Sequence, residues 1–349
     1  MTRAVLVTGG AGYVGSHVCK ALHQAGLLPV TLDNLATGHR WAVKWGPLEV
    51  GDVRNQDFVV DLMTRHKVTA VLHFAAASLV GESAAKPAEY YDNNVLGALS
   101  LVGAMRRCNV ERIVFSSTCA IYGVPEALPI REDEPARPIN VYGRTKLSVE
   151  HFLGDVAATG AIRAVLLRYF NAAGADSDGE IGEGHDPESH LVPLAIQAAL
   201  EPTKPLSVFG SDYPTADGTC ERDYIHVEDL AEAHLRALDF LDRNPGAHAF
   251  NLGTGQPVSV RQVLSAVERV VGSRPATIDA PRRIGDPPRL FAAPERAKSE
   301  LGWTPVRSDI EQIVATAVRW HRKPDRNEIH PVREQMIGQL GSRSSVSEI

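Results

Sequence analysis

Thr8-Gly9-Gly10-Ala11-Gly12-Tyr13-Val14-Gly15 follows a short apolar stretch at residues 4–7 and leads into a helical pattern over residues 16–25. Gly10, Gly12 and Gly15 have the spacing of a dinucleotide-binding turn. There, glycines permit a tight bend, a close backbone approach to a pyrophosphate and close packing of helix on strand. Gly9 belongs to the same loop, and the free N–H groups at the start of the helix favour phosphate. Asp33 closes the next apolar stretch, residues 29–32. At that distance a carboxylate accepts hydrogen bonds from the adenosine ribose and repels a 2′-phosphate, so the expected cofactor is NAD rather than NADP. Asp52, in Gly51-Asp52-Val53, is a second acidic candidate, for the adenine amino group.

Outward from this turn, apolar runs at 5–8, 29–32, 70–74, 112–116 and 164–168 alternate with helix-like segments. Short runs rich in Val, Ile and Leu, apolar on both faces, suit a parallel sheet between helix layers. The fold class expected is α/β, a Rossmann-like doubly wound parallel sheet with a smaller mixed α/β domain for the substrate. From about Asn171 the composition changes: Gly, Pro, Asp and His crowd into 174–193 and again into 211–218, which reads as long loops over a site.

Tyr142-Gly143-Arg144-Thr145-Lys146 is the second chemical signal. Positions i and i+4 share a helix face, so the phenol and the ammonium point into one space. A free tyrosine, with a pKa of about 10, is too weak an acid to act as a base at neutral pH, and a neighbouring cation favours the phenolate. Thr118 ends the run Phe115-Ser116-Ser117-Thr118 at the carboxyl edge of the expected sheet, where ligands of open α/β folds bind.

The composition excludes several classes. The chain has 349 residues, 44% hydrophobic and 22% charged, with a formal net charge of -6. That balance gives no basic field for nucleic acid, and neither a basic run nor an apolar stretch of about 20 residues points to a membrane. Cys19, Cys108, Cys119 and Cys220 are scattered without paired spacing, so a reducing, cytoplasmic setting is expected and a disulfide framework is not.

Beyond these two signals the chain resembles the extended short-chain dehydrogenase/reductases, and within them the UDP-galactose 4-epimerases, from about Arg3 to Trp320. The matching blocks include Gly9-Gly10-Ala11-Gly12-Tyr13-Val14-Gly15-Ser16-His17, Val80-Gly81-Glu82-Ser83, Tyr90-Tyr91-Asp92-Asn93-Asn94-Val95 and Leu167-Arg168-Tyr169-Phe170-Asn171. Phe209-Gly210-Ser211-Asp212-Tyr213-Pro214-Thr215, Arg222-Asp223-Tyr224-Ile225-His226-Val227 and Ala280-Pro281-Arg282-Arg283 follow.

The resemblance implies that Tyr142 is the catalytic base and acid, Lys146 its cationic partner and a ligand of the nicotinamide ribose, and Thr118 a hydroxyl at the reacting oxygen. It implies an NAD site of Gly9, Gly12, Tyr13, Val14, Gly15, Asp33, Asn34, Asp52, Val53, Phe74, Ala75, Ala76, Asn93, Tyr142, Lys146 and Phe170. Asn171, His190, Leu191, Arg222, Arg283 and Asp286, with Ser207, Val208 and Phe209 along the uracil, would hold the UDP of a UDP-hexose. The guanidinium fork suits a diphosphate. Residues 1–175, with about 225–255, would form the NAD-binding domain, and about 176–224 and 256–322 the UDP-sugar-binding domain. A polar tail over 323–349 is expected to fray, and a homodimer is what the resemblance implies.

Two departures stand out. Ser78, in Phe74-Ala75-Ala76-Ala77-Ser78, occupies a position where some relatives carry an NAD-contacting lysine, which implies weaker retention of NAD. His190, in His185-Asp186-Pro187-Glu188-Ser189-His190, replaces an asparagine beside the uridine site. No metal is expected at His185 and His190, for want of a further convergent set of ligands.

Rival chemistries leave their own marks. A 4,6-dehydratase of this fold needs a Thr-Asp-Glu triplet and a UDP-glucuronate decarboxylase needs a glutamate there, whereas this chain has Thr118-Cys119-Ala120. A non-enzymatic NAD-binding regulator could dispense with Tyr142 and Lys146. A UDP-pentose 4-epimerase, acting on UDP-xylose and UDP-arabinose, remains open because the chemistry at C4 is the same, and so does dual use of N-acetylhexosamines. The resemblance makes Leu290 a partial gate beside the C2 substituent, bulkier than serine but lacking a tyrosine's ring.

Overall fold

The computed structural model describes residues 2–283 and 286–323. The tail expected over 323–349 therefore lies, beyond Lys323, outside the described residues. Among the described residues no helix is long and apolar enough to cross a membrane.

Seven strands form one sheet: β1 (Ala4–Thr8), β2 (Leu28–Asp33), β3 (Leu48–Val50), β4 (Val68–His73), β5 (Arg112–Thr118), β6 (Arg163–Tyr169) and β7 (Gly246–Leu252). Their order is β7-β6-β5-β4-β1-β2-β3, and every neighbouring pair is parallel. This is the doubly wound arrangement expected, with the strand order reversing between β1 and β4. Five strands coincide with the apolar runs. β3 and β7 escape such a reading because β3 is three half-exposed residues, and β7, Gly-Ala-His-Ala-Phe-Asn-Leu, breaks its apolar run with His248 and Asn251.

Successive side chains of a strand point to opposite faces, so each strand feeds two cores. Leu6, Leu32, Val71, Ile113 and Phe115 pack with Leu101, Met105, Val149 and Leu153 of the helices on one side. Val5, Val7, Leu72, Val114, Val165 and Phe250 pack with Val18, Leu22, Leu230 and Trp303 on the other. The first helix begins at Tyr13, three residues earlier than its apolar pattern suggests, because Gly12 takes the extended N-cap conformation.

A third core lies outside the sheet, where Ala195 and Ile196, Val263 and Val267, and Ile313 and Val314 meet from three helices, Leu191–Leu200, Val260–Val271 and Ile310–His321. Small sheets border it: Leu206–Phe209 pairs with Thr277–Ala280, and Glu221–Arg222 lies between Val258–Ser259 and Arg289–Leu290. The crowded stretch at 174–193 is irregular only as far as His190, since Leu191 already opens a helix.

The helix Val141–Ala158 is tied to the sheet by buried charge. Glu150, 4% exposed, accepts a hydrogen bond from Ser117 at the end of β5 and pairs with Arg168 of β6 at 2.6 Å. Arg168 in turn donates to the Tyr122 hydroxyl. Removing one member of such a pair strands the other charge, which typically costs about 3–5 kcal/mol. Glu150→Gln is therefore expected to lower the thermal midpoint by many degrees, whereas Glu111→Gln at the exposed residue before β5 leaves it within a degree or two; comparing the two melts checks the assignment.

Candidate active site

A cavity of about 720 Å³ runs along the carboxyl ends of the strands, where the strand order reverses. Every residue expected to hold NAD lines it, from Gly9, Gly12, Tyr13, Val14 and Gly15 through Asp33, Asn34, Asp52, Val53, Phe74, Ala75, Ala76 and Asn93 to Tyr142, Lys146 and Phe170. The glycine turn is built for close approach. Gly9 has a φ of +73°, and a Cβ there would lie 2.6 Å from the Ala75 nitrogen; one on Gly15 would lie 2.3 Å from the Gly9 carbonyl oxygen. Gly10, the first glycine of the fingerprint and the one that serves the tight turn, does not line the cavity. It is small because Thr31 and the Val7 carbonyl crowd it.

The acidic residues at the far end are already engaged. Asp33 accepts from the backbone N–H groups of Ala11 (3.0 Å) and Leu35 (2.8 Å), and burial pushes its carboxyl above the ordinary value. Asp52 is paired with Arg54, which also reaches Asp92, and this pairing holds the Asp52 carboxyl low. Arg54 lines the cavity, a cation on its wall that motif reading overlooked beside the missing lysine at Ser78. Its position in a loop with no fixed spacing to the glycine turn left no signal.

At the other end stand Tyr142, Lys146 and Thr118, brought together from the helix Val141–Ala158 and the tip of β5. Asn140 caps that helix by accepting from the Gly143 N–H at 2.7 Å, which sets where its first turn begins. Lys146 Nζ donates to the Ser116 carbonyl at 2.8 Å, 5.9 Å from the centre of the Tyr142 ring. The expected lowering of the phenol's pKa by this cation does not hold in the protein alone. Burial pushes the Tyr142 phenol well up, Tyr169 beside it adds to this, and the Thr118 hydroxyl only partly offsets it. Burial likewise presses Lys146 down to about 7, against the pull of Glu150. Both charged forms lose their water, and that loss is the largest cause of each shift.

Asn171, His190 and Leu191 line the cavity, whereas Ser207, Val208, Phe209, Arg222, Arg283, Asp286 and Leu290 do not. They form an adjoining group: Arg222 pairs with Asp286, the Arg283 guanidinium lies 4.0 Å from the centre of the Phe209 ring, and Leu290 pairs with Arg222 across parallel strands. Leu290 also packs against the cluster holding Phe170 and Tyr122. Among the described residues Arg222 is thus already neutralised, so a diphosphate would have to compete with Asp286 for it.

The argument against metal ligands at His185 and His190 is overturned on one point. Glu183 and Glu188 converge with the two histidines, one donor atom from each lying within 4.8 Å of the others. The sequence shows only their order; a loop folded back by contacts from elsewhere brings them to one point. Burial pushes Glu183 up, but His190 and His185 outweigh it and hold the carboxyl down at about 2. Glu183, His185 and His190 all line the cavity.

With this geometry in place, the comparisons are informative. The profile of the NAD dependent epimerase/dehydratase family matches residues 5–253. A UDP-glucose 4-epimerase of Rhizobium leguminosarum bv. trifolii is 48% identical over 93% of this chain and 98% of its own length. The crystal structure of a UDP-glucose 4-epimerase from Brucella ovis in complex with NAD is 50% identical, with a TM-score of 0.89 over 91% of this chain and 98% of that one. A UDP-glucose-4-epimerase from Stenotrophomonas maltophila, with bound NAD and formylated UDP-arabinopyranose, is 41% identical, with a TM-score of 0.89 over 92% and 98%.

The depressed Lys146 has a consequence for stability. Between pH 7 and the ordinary lysine value near 10.5 the unfolded chain holds a proton that the folded protein has released, so stability from this group rises with pH across that window. Cofactor-free protein is expected to gain on Lys146→Met as pH rises from about 7 to 10, with no relative change below pH 6; paired chemical denaturation curves measure the difference.

Proposed function

The chain belongs to the NAD dependent epimerase/dehydratase family, and from that premise we propose that it interconverts UDP-glucose and UDP-galactose through a 4-keto sugar, with NAD as cofactor. The single observation that carries this reading is one cavity holding a dinucleotide turn at one end and Tyr142, Lys146 and Thr118 at the other. The residues fit NAD: the glycine turn leaves no room for a Cβ where a pyrophosphate approaches, and the Asp33 carboxylate stands at the ribose end. Bound NAD supplies the acceptor, and then the donor, of the C4 hydride.

The residues of this chain handle the proton and the grip. Tyr142 takes the proton from the 4-hydroxyl and later returns it to the ketone oxygen. Burial makes its phenolate costly, so deprotonation is tied to positive charge nearby. Lys146 supplies part of that charge, held by the Ser116 carbonyl, and the oxidised cofactor adds to it. Thr118 donates to the reacting oxygen. Arg222 and Arg283, with Asn171, Leu191, Asp286 and the strand Leu206–Phe209, anchor the UDP, and His190 faces the same space. A planar ketone at C4 accepts hydride on either face, so inversion needs a firm hold on UDP and a loose hold on the hexose.

The domain division at about 176–224 and 256–322 gives the UDP-holding part, with the rest of the described chain holding NAD. The enzyme is read as a cytoplasmic homodimer, and the exposed Leu96 and Leu99 offer a surface for the second copy. UDP-pentoses are a second substrate class, favoured by the bound sugar of the Stenotrophomonas maltophila relative.

Tyr142→Phe keeps the ring and removes the proton acceptor. Turnover of UDP-galactose is expected to fall about 10²–10⁴-fold while the variant still binds NAD, read by cofactor fluorescence; near-normal turnover would remove Tyr142 from its role. Leu290, packed beside Phe170, is read as a partial gate for a C2 N-acetyl group. Shape alone discriminates by roughly 10–200-fold for a methylene-sized difference. Leu290→Ser is expected to raise kcat/KM for UDP-N-acetylgalactosamine relative to UDP-galactose and Leu290→Tyr to lower it; an unchanged ratio in both variants would show that the gate lies elsewhere.

A further inference from the structure

The loop that closes over the cavity carries Glu183-Gly184-His185-Asp186-Pro187-Glu188-Ser189-His190. Its donors are drawn to one point. The Nδ1 atoms of His185 and His190 both approach one oxygen of Glu183, the first at 2.8 Å. Glu188 Oε1 stands 3.8 Å from His185 Nδ1. Its other oxygen, Oε2, is buried with no hydrogen-bond partner. A buried carboxylate oxygen left unpaired costs free energy unless something else satisfies it.

The loop is held from three other parts of the chain. Trp320 Nε1 donates to the Glu183 carbonyl at 2.7 Å, and His39 Nε2 lies 2.6 Å from the Gly184 carbonyl. The Tyr13 ring meets the His185 ring edge-on, 6.3 Å between centres. Trp41 stacks between His39 and Trp320, so the supports brace each other. These supports fix the loop independently of the donor atoms, which meanwhile bond one another and, for Glu188 Oε1, accept from the Ser189 and His190 N–H groups.

We propose that Glu183, His185, Glu188 and His190 form a binding site for one divalent transition-metal ion, with zinc the best fit, on the wall of the cofactor and substrate cavity. Two imidazole nitrogens and two carboxylate oxygens are a borderline donor set that suits zinc and is wrong for calcium or magnesium, which take oxygen alone. Zinc bonds of about 2.0–2.2 Å in a tetrahedron put donors roughly 3.3 Å apart, within the spread observed. Each Nδ1 that donates to Glu183 must release its proton to solvent as its lone pair goes to the metal. The site draws on none of the residues assigned to proton transfer, and its failure would leave the epimerase reading untouched.

The test uses the full chain made without a histidine tag, stripped with a chelator and exchanged into chelator-free buffer. Zinc chloride is titrated in by calorimetry, and melts are recorded with and without zinc; magnesium chloride serves as the comparison. His185→Gln and His190→Asn, both at partly exposed side chains, are made singly and together, with circular dichroism confirming the fold. The expected result is one zinc per wild-type chain, a raised melting point with zinc only, and a loss of affinity of about tenfold or more in each single variant. Zinc binding by the double variant as tight as by wild type, or an equal shift with magnesium, overturns the proposal, and the histidines are then an ion-paired support for the loop.

Discussion

The helix that carries Tyr142 and Lys146 sits on the sheet through groups that water cannot reach, and the rest of the site depends on that fit. Glu150 is buried against Ser117 and Arg168, and Lys146 donates to the Ser116 carbonyl, so two turns of one helix are pinned to the ends of β5 and β6. A charge buried in this way tolerates little displacement, because each lost contact leaves a polar group without solvent. The same pins that hold the helix also hold the phenol beside Thr118.

Burial has a chemical cost that the site turns to use. Deprived of water, the Tyr142 phenol resists ionisation and the Lys146 ammonium loses protons easily. A phenol that resists ionisation in the empty protein would ionise more readily with a positive charge bound beside it. Arg222 is likewise engaged, by Asp286, in the group that adjoins the cavity.

Much of the fold was legible along the chain. The glycine turn, Asp33, the Tyr142–Lys146 spacing and five strands are local features, each settled within about 25 residues by backbone sterics, period and helix geometry. β3 and β7 were not legible, since a three-residue edge strand and a strand interrupted by histidine and asparagine owe their place to pairing partners far away in sequence. The crowding that keeps Gly10 small likewise comes from a distant neighbour, Thr31 on the next strand.

The sequence by itself determined the glycine turn, the shared helix face of Tyr142 and Lys146 and the class of fold, because these depend on residue type at fixed spacing. Only the tertiary structure decided the ionisation of that pair, the engagement of Asp52 and Arg222, and the convergence of Glu183 and Glu188 on two histidines. Those outcomes depend on desolvation and on which distant side chains arrive at the same point. Neither distance through space nor exclusion of water is written in the order of residues along the chain.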